Sequence, residues 1–404
     1  MKVAVIGGGA AGFFAAVSVK ENYPRAHVSV IEKTNRVLSK VKISGGGRCN
    51  VTNGEGSVSE LAKAYPRGGN ALKKAFGIFG TADTVEWFRK RGVALITQDD
   101  NCVFPESQSS QTIIDCFLTR ARILGIDIQK NKDAAGLNES GGRWTVRYSA
   151  DALPADTFDK VIVATGGNKN PESYGWLARL GHDIEPPVPS LFTFNMPDEP
   201  VRELQGITVE HVIASIQGTN ISAEGVLLIT HWGMSGPVVL KLSSSGARYL
   251  HEAGYESVIR INWTGMKNSE AADNGLKSIA GGHAGKSVAN IRPFSLPDRL
   301  WRFLIGKCDI PASKRWGELG KKDINKLVSI LTNDTYETRG KTAFREEFVT
   351  CGGVSLSSVD MKTMQSKVCP NLYFAGEVLD IDGITGGYNF QAAWTTGFIA
   401  GKLL

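Results

Sequence analysis

Apolar positions in this chain follow two periods, and each change of period marks a change of element. Val3 to Ile6 is a continuous apolar, mostly β-branched run, Gly7 to Gly12 is a turn, and Ala10 to Lys20 has helical composition. "HVSVIEK", 27 to 33, is the next strand and closes a strand–helix–strand unit. In "TIIDCFLTRARIL", Ile113, Ile114, Phe117, Leu118, Ala121 and Leu124 share one helical face, and "IDI" follows as a strand. Between 133 and 167 the pattern shortens to alternating strands, "AAGLNES", "GRWTVRY" and "KVIVATGG", which predicts a β-meander leading back into a parallel strand.

From 191 the strand-like pieces "ITVEHVIASI" and "GVLLITH" have no helix between them, so a β-rich insertion is expected. "DRLWRFLIGKC" and "KKDINKLVSIL" then read as amphipathic helices of the same insertion. The chain returns through "NLYFAGEVLDIDGITGGYNFQAAWTTGFIAG", a strand, a glycine-rich loop and a final helix. The expected organisation is α/β: a Rossmann-like dinucleotide domain with a β-meander, made of 1–190 and 346–404. It is interrupted by an inserted substrate domain, β-rich and barrel-like over about 191–265 and helical over about 266–345.

The bulk numbers narrow the function classes. A length of 404 residues suits two or three structural units, and 42% hydrophobic with 21% charged residues suits a globular chain. The net charge of +6 comes without any long run of like charges, which argues against nucleic-acid binding and leaves a mild preference for anionic ligands. Six cysteines form no CxxC pair and no ligand spacing, which predicts reduced thiols, a cytoplasmic setting and no metal. The start, "MKVAVIGGGAAGFFAAV", imitates a signal peptide, but four glycines break the apolar run, and no membrane span is expected elsewhere.

Candidate chemistry begins with "GGGAAG", where Gly7, Gly9 and Gly12 satisfy GxGxxG between a strand and a helix, with Ala10 and Ala11 inside the pattern. Such glycines give a tight turn, close backbone approach to a pyrophosphate, and close helix–strand packing, while the helix N-terminus meets phosphate charge. Glu32, followed by Lys33, ends the second strand about 25 residues after Gly7, where a carboxylate accepts from ribose hydroxyls. A carboxylate there disfavours a 2′-phosphate, leaving NAD and FAD open. "KISGGGRCNVTN" adds Lys42, Gly45, Gly46, Arg48, Cys49 and Asn50. Successive glycines there can form an anion-binding nest, with Arg48 and Asn50 as side-chain donors. Cys49 reads as an inert buried thiol, since no second cysteine lies near it. "GGHAGKS" at 281–287 lacks the first glycine and the preceding strand of a P-loop.

"VIVATGG", ending in Thr165, Gly166 and Gly167, resembles the second fingerprint of the glutathione-reductase-like flavoprotein superfamily. The C-terminal segment resembles a third, with Gly376, Glu377 and Asp380 after a strand and Gly386, Gly387, Tyr388 and Asn389 before a helix. In that superfamily the helix points its N-terminus at the flavin, and the resemblance implies FAD. Together, "SGGGRCNVTN", "THWGMSGP" at 230–237 and "GEVLDIDGITGGYNFQAAWTTG" resemble a bacterial family of FAD-binding oxidoreductases, the BaiN-like flavoproteins that include aminoacetone oxidases. The resemblance implies two-electron hydride transfer between flavin and a small organic substrate, a small amine if the oxidases are the guide. An alternative is reduction of an activated C=C bond, and a second alternative is a flavin-containing RNA-binding or RNA-modifying protein. NAD(P)H or O2 is the expected electron partner, since no second GxGxxG is present. His231, Arg48 and Tyr388 are the candidate catalytic residues, with Asn389 the expected N-cap of the last helix.

Overall fold

The computed structural model describes residues 1–150, 153–340 and 349–404. It contains two units, Met1–Val188 with Val349–Leu404, and Pro189–Phe348. Expectations that fall on 341–348, including the boundary near 345, lie outside the described residues.

The first unit is built on five parallel strands in the order Leu372–Phe374, Lys160–Val163, Lys2–Ile6, His27–Ile31, Asp127–Gln129. An antiparallel pair, Val359–Asp360 and Gln365–Ser366, extends the Leu372 edge. Lys2–Ile6 is central and buried beyond Lys2, which is why its sequence is a continuous apolar run rather than an alternation. The meander is a separate antiparallel sheet of Ala134–Ser140, Arg143–Tyr148 and Asp156–Phe158.

The first helix, Ala10–Asn22, is buried continuously from Ala11 to Val19 because it packs on the strands and on the terminal helix Tyr388–Ala400. Two glycines set that helix–helix approach: a Cβ at Gly397 would stand 2.7 Å from the Ala11 carbonyl oxygen, and one at Gly401 2.4 Å from Ser18 Cβ. An aromatic cluster completes the layer, with Phe117 stacked on Trp394 at 5.4 Å between ring centres and Phe79 on Phe398 at 4.4 Å. In the helix Ser110–Ile123 the buried stripe centres on Ile113, Phe117 and Ala121. Leu118 is exposed on its rim and Cys116 is buried, contrary to the expected face.

The second unit holds a six-stranded antiparallel sheet, ordered Phe194–Asn195, Gly233–Ser235, Ser222–Thr230, Thr208–Ile216, Glu256–Asn262, Asp334–Arg339. Its edges meet where the Asn195 amide donates to the Arg339 carbonyl at 2.8 Å, giving a nearly closed barrel. Two expectations need correction here. Helices Pro237–Ser245 and Ala247–Glu252 lie within the stretch expected to be β-rich; the first opens on Gly236-Pro237, a pair that by itself allows a helix start with proline in the first turn. Conversely Asp334–Arg339, in the stretch expected to be helical, is a strand alternating buried and exposed positions. Helices Ser269–Gly282, Asp298–Lys307 and Lys321–Asn333 occupy the rest, and Trp301 stacks on Trp316 within the unit's own core. "GGHAGKS" follows a helix, the wrong context for a phosphate loop.

Candidate functional site

The glycine turn after the first strand divides its labour. Gly7, at φ +112°, donates to the Ile31 carbonyl at 2.8 Å, and a Cβ there would sit 2.2 Å from the Ala164 oxygen. A Cβ at Gly12 would sit 1.9 Å from the Gly7 oxygen, so this glycine packs helix on turn. Gly9, the N-cap of the first helix, is different: a Cβ there would meet nothing within 4 Å. Ala10 and Ala11 follow in the first helical turn, whose N–H groups have no intrahelical acceptors. Glu32 is held at this turn by accepting from Gly8 N–H at 2.9 Å through one oxygen and from the Thr34 N–H and hydroxyl, both at 2.8 Å, through the other.

The second and third fingerprints converge on the same place. Thr165 and Gly166, the latter at φ +74°, follow the strand that abuts Gly7, and a Cβ at Gly167 would lie 2.7 Å from the Glu377 carboxylate. Glu377 pairs with Lys40 at 2.8 Å and accepts from Thr350 N–H at 2.9 Å, while Asp380 accepts from Gly352 N–H at 2.9 Å. Gly376, at φ +77°, comes within a Cβ's reach of Ala11, so the last fingerprint touches the first helix.

The stretch from Ser44 to Asn53 forms a short turn in which Gly45, Gly46 and Gly47 are successively left-handed, at φ +55°, +67° and +86°. Arg48 closes this turn: its Nε donates to the Gly45 carbonyl at 3.2 Å and its guanidinium lies 4.1 Å from the centre of Phe104. Two asparagines then hold the C-terminal glycine loop. Asn50 donates to the carbonyls of Thr52 and Val103 and accepts from Gly387 N–H at 3.1 Å, while Asn53 donates to the Gly386 carbonyl at 3.0 Å. Gly387 must be glycine, since φ is +88° and a Cβ would stand 2.4 Å from the Thr52 oxygen.

Gly46, Gly47 and Gly166 share the property of Gly9, with nothing within 4 Å of a Cβ. This open backbone cradle, with a helix N-terminus and a fixed carboxylate, fits a dinucleotide. Gly7 to Gly12 would hold the pyrophosphate and Glu32 the ribose.

Some sequence candidates are placed elsewhere. Lys33 is exposed beyond the strand end, and Lys42 is exposed and bonded to Gln111 at 2.9 Å. His231 stands in the other unit, exposed against Trp232 on the turn before Gly233–Ser235. Asn389 is not the N-cap. That position is Gly387, and Asn389 in the first turn grips Gly383 instead, accepting from its N–H and donating to its carbonyl, both at 2.8 Å. The left-handed Gly387 turns the chain so sharply that the asparagine faces the preceding loop. Cys49 is fully buried, and burial pushes its thiol up to about 12, which rules against a thiolate at neutral pH.

Sequence reasoning missed the clamps around this loop. Asp382, fully buried, is bound twice by the Arg67 guanidinium. Tyr65 donates to the Tyr388 carbonyl at 2.6 Å, and buried Gln391 accepts from Thr52 at 2.6 Å and from Thr84 at 2.9 Å. The one local signal was an aspartate in an otherwise glycine-rich and apolar loop, "DGITGG". Tyr388 itself is half-buried, and burial, followed by Cys102, Glu55 and Asp100, raises its phenol pKa, so it keeps its proton at neutral pH.

Comparison with known proteins agrees with this geometry. The family described as HI0933-like protein Rossmann domain matches residues 1–403. The chain is 28% identical to a 3-dehydro-bile acid delta(4,6)-reductase of Clostridium scindens, over 99% of this chain and 98% of that one. It is also 28% identical to a ribosomal RNA dihydrouridine synthase of Escherichia coli, over 98% and 95% of the two chains. Among solved structures, Escherichia coli quinol fumarate reductase aligns with a TM-score of 0.50 at 12% identity, covering 100% of this chain and 69% of that one, a likeness of fold. No helix among the described residues is long and apolar enough to cross a membrane. The cradle, the fingerprints and the family match lead to one assignment: the chain belongs to the HI0933-like Rossmann family and is an FAD-dependent oxidoreductase.

Proposed function

We propose that this chain is a reductase of carbon–carbon double bonds conjugated to a carbonyl group. The observation that carries this reading is its end-to-end similarity, at 28% identity, to two proteins whose names both describe reductions. One is a delta(4,6)-reductase of a bile acid and the other makes dihydrouridine; in both, hydrogen adds across a ring double bond. FAD, when bound, supplies the two-electron hydride chemistry. This chain's own residues supply the rest. Gly9, Gly46 and Gly166 leave open backbone for the cofactor. Asn50, Asn53 and the Arg67–Asp382 pair fix the loop that starts the terminal helix.

Tyr388 opens that helix with a phenol that stays protonated, and its hydroxyl has no protein partner among the described residues. It is our candidate proton donor to the substrate carbon that does not receive hydride. A reductase needs a donor, and with a single GxGxxG in the chain the expected one is a freely diffusing NAD(P)H. His231, in the second unit, is given no role in this reading.

The test is anaerobic. Protein with chemically reduced flavin is mixed with a 3-oxo-Δ4 steroid and, separately, with uridine-containing RNA, while oxidised protein is mixed with aminoacetone. Flavin reoxidation by either unsaturated compound, with a saturated product, is expected. Flavin reduction by aminoacetone, with neither unsaturated compound reacting, would overturn the reading. Tyr388→Phe should slow the reoxidation at least about tenfold, within the range of a lost general acid, without changing flavin content.

A further inference from the structure

The second unit carries a cavity of about 550 Å³ on the outer face of its barrel, lined among others by Ser215, Ser222, Arg260, Lys267 and Asn333. Strand alternation puts these side chains there: Ala214, Ile216, Ile259 and Ile261 point into the core, so Ser215 and Arg260 point away from it. Register then aligns them. Ser215 pairs with Ser222 on one side and with Arg260 on the other, which makes a row of three polar side chains across three neighbouring strands.

Among the described residues the side-chain donors in this row have no partner. The Arg260 side chain makes no ion pair or hydrogen bond among the described residues, and its Nε is buried without a partner there. Lys267, Ser215, Ser222 and Asn333 likewise spend no side-chain hydrogen bond on the described protein. A half-buried guanidinium with an unmet donor is costly; the Nε atoms of Arg91, Arg120 and Arg202 are unmet as well, and Arg260 differs from them in standing in a cavity beside Ser215, Ser222, Lys267 and Asn333. Asn262 lines the cavity too, but its amide is spent on the turn that carries Lys267, donating to Met266 and accepting from Thr264. Glu224, the carboxylate in the lining, is exposed, stands two strands from Arg260 and forms no ion pair with it.

We propose that this cavity binds the phosphate group of a nucleotide or a ribonucleotide chain. A planar guanidinium, an ammonium, two hydroxyls and an amide offer more donors than the two oxygens of a carboxylate accept, and a phosphate uses them better. The volume lies within the range of small-ligand sites and leaves room for a polar body beyond the phosphate itself. The site lies wholly within the second unit and stands independently of the reductase reading.

The experiment titrates the full-length, FAD-loaded protein with inorganic phosphate, ADP and a short oligouridylate by calorimetry. Bound FAD keeps ADP out of the dinucleotide cradle. Saturable, salt-sensitive binding is expected. ADP and phosphate binding identifies a mononucleotide, and binding of the oligouridylate alone identifies a ribonucleotide backbone. Arg260→Met and Lys267→Met should each weaken binding by about tenfold or more, the loss of one charge-assisted hydrogen bond, with flavin content unchanged. Lys267 lies in a turn outside the strands, so its variant folds even if the Arg260 variant does not. Absence of binding by all three probes, or equal affinity in both variants, would overturn the site.

Discussion

The motif "SGGGR" of the first unit and the motif "WGMSGP" of the barrel are both rich in glycine, yet the last two glycines of the first, unlike Gly45, meet surroundings opposite to those of the second. A Cβ at Gly46 or Gly47 would enter open space, whereas one at Gly233 would stand 2.4 Å from the Phe194 oxygen and one at Gly236 2.8 Å from the Val226 oxygen. The first motif keeps backbone bare on a surface, and the other lets strands and a helix of the barrel approach closely. Glycine in a motif therefore signals a missing side chain, and only the neighbours say whether a ligand or the protein itself uses the room.

The comparison also separates how the glycine turns of the two units are held, the C-terminal loop "DGITGG" standing for the first unit. In the first unit the left-handed turns are fixed from outside by side chains, so the largest effect should come from removing a clamp. Asp382→Ala leaves the Arg67 guanidinium without its buried carboxylate and should cost about 3 to 5 kcal/mol in urea unfolding, with loss of retained flavin. In the barrel the glycine itself is the constraint. Gly236→Ala forces a Cβ at φ +94° against backbone on two sides and should cost about 3 kcal/mol. A neutral result there would remove the contrast between the two motifs.

Gly9→Ala sharpens it from the other side. At φ −91° and with open space ahead, alanine should change stability by less than about 0.5 kcal/mol. FAD affinity, read from flavin retained after gel filtration, should nonetheless fall by about tenfold, which is about 1.4 kcal/mol. Equal loss of stability and flavin would mean that Gly9 packs rather than opens.

The last effect, absent at neutral pH, concerns Cys49, beneath the first motif. Burial raises its thiol from 9.0 to about 12, against a weaker lowering by Ser44. Above pH 9.0 the unfolded chain loses this proton while the folded chain keeps it, so stability declines as pH rises toward about 12. The slope is at most about 1.4 kcal/mol per pH unit, and Cys49→Ala should flatten it in unfolding curves taken across that window.

Much of this molecule was legible because its signals are local. A strand, a glycine turn, a helix and a strand ending in Glu32 lie within consecutive residues, and steric rules alone set their conformations. The two strands of the barrel's longest hairpin, Thr208–Ile216 and Ser222–Thr230, were legible as the strand-like pieces "ITVEHVIASI" and "GVLLITH", although the second strand begins three residues before its apolar run. Local patterns failed where a partner far along the chain decides. "DTYETR" becomes a strand because Glu256–Asn262 offers it a hydrogen-bonding edge, and Asn389 turns from a cap to a clasp because Gly387 is left-handed. The sequence by itself determined which backbone stretches can be bare, kinked or buried, since those follow from side-chain volume and φ/ψ limits. Only the tertiary structure decided which polar groups are spent and which are left over. Arg67 met Asp382 315 residues away, while Arg260 met no partner among the described residues. Satisfaction of a buried charge is a property of pairs, and pairing at such separation is fixed by the fold.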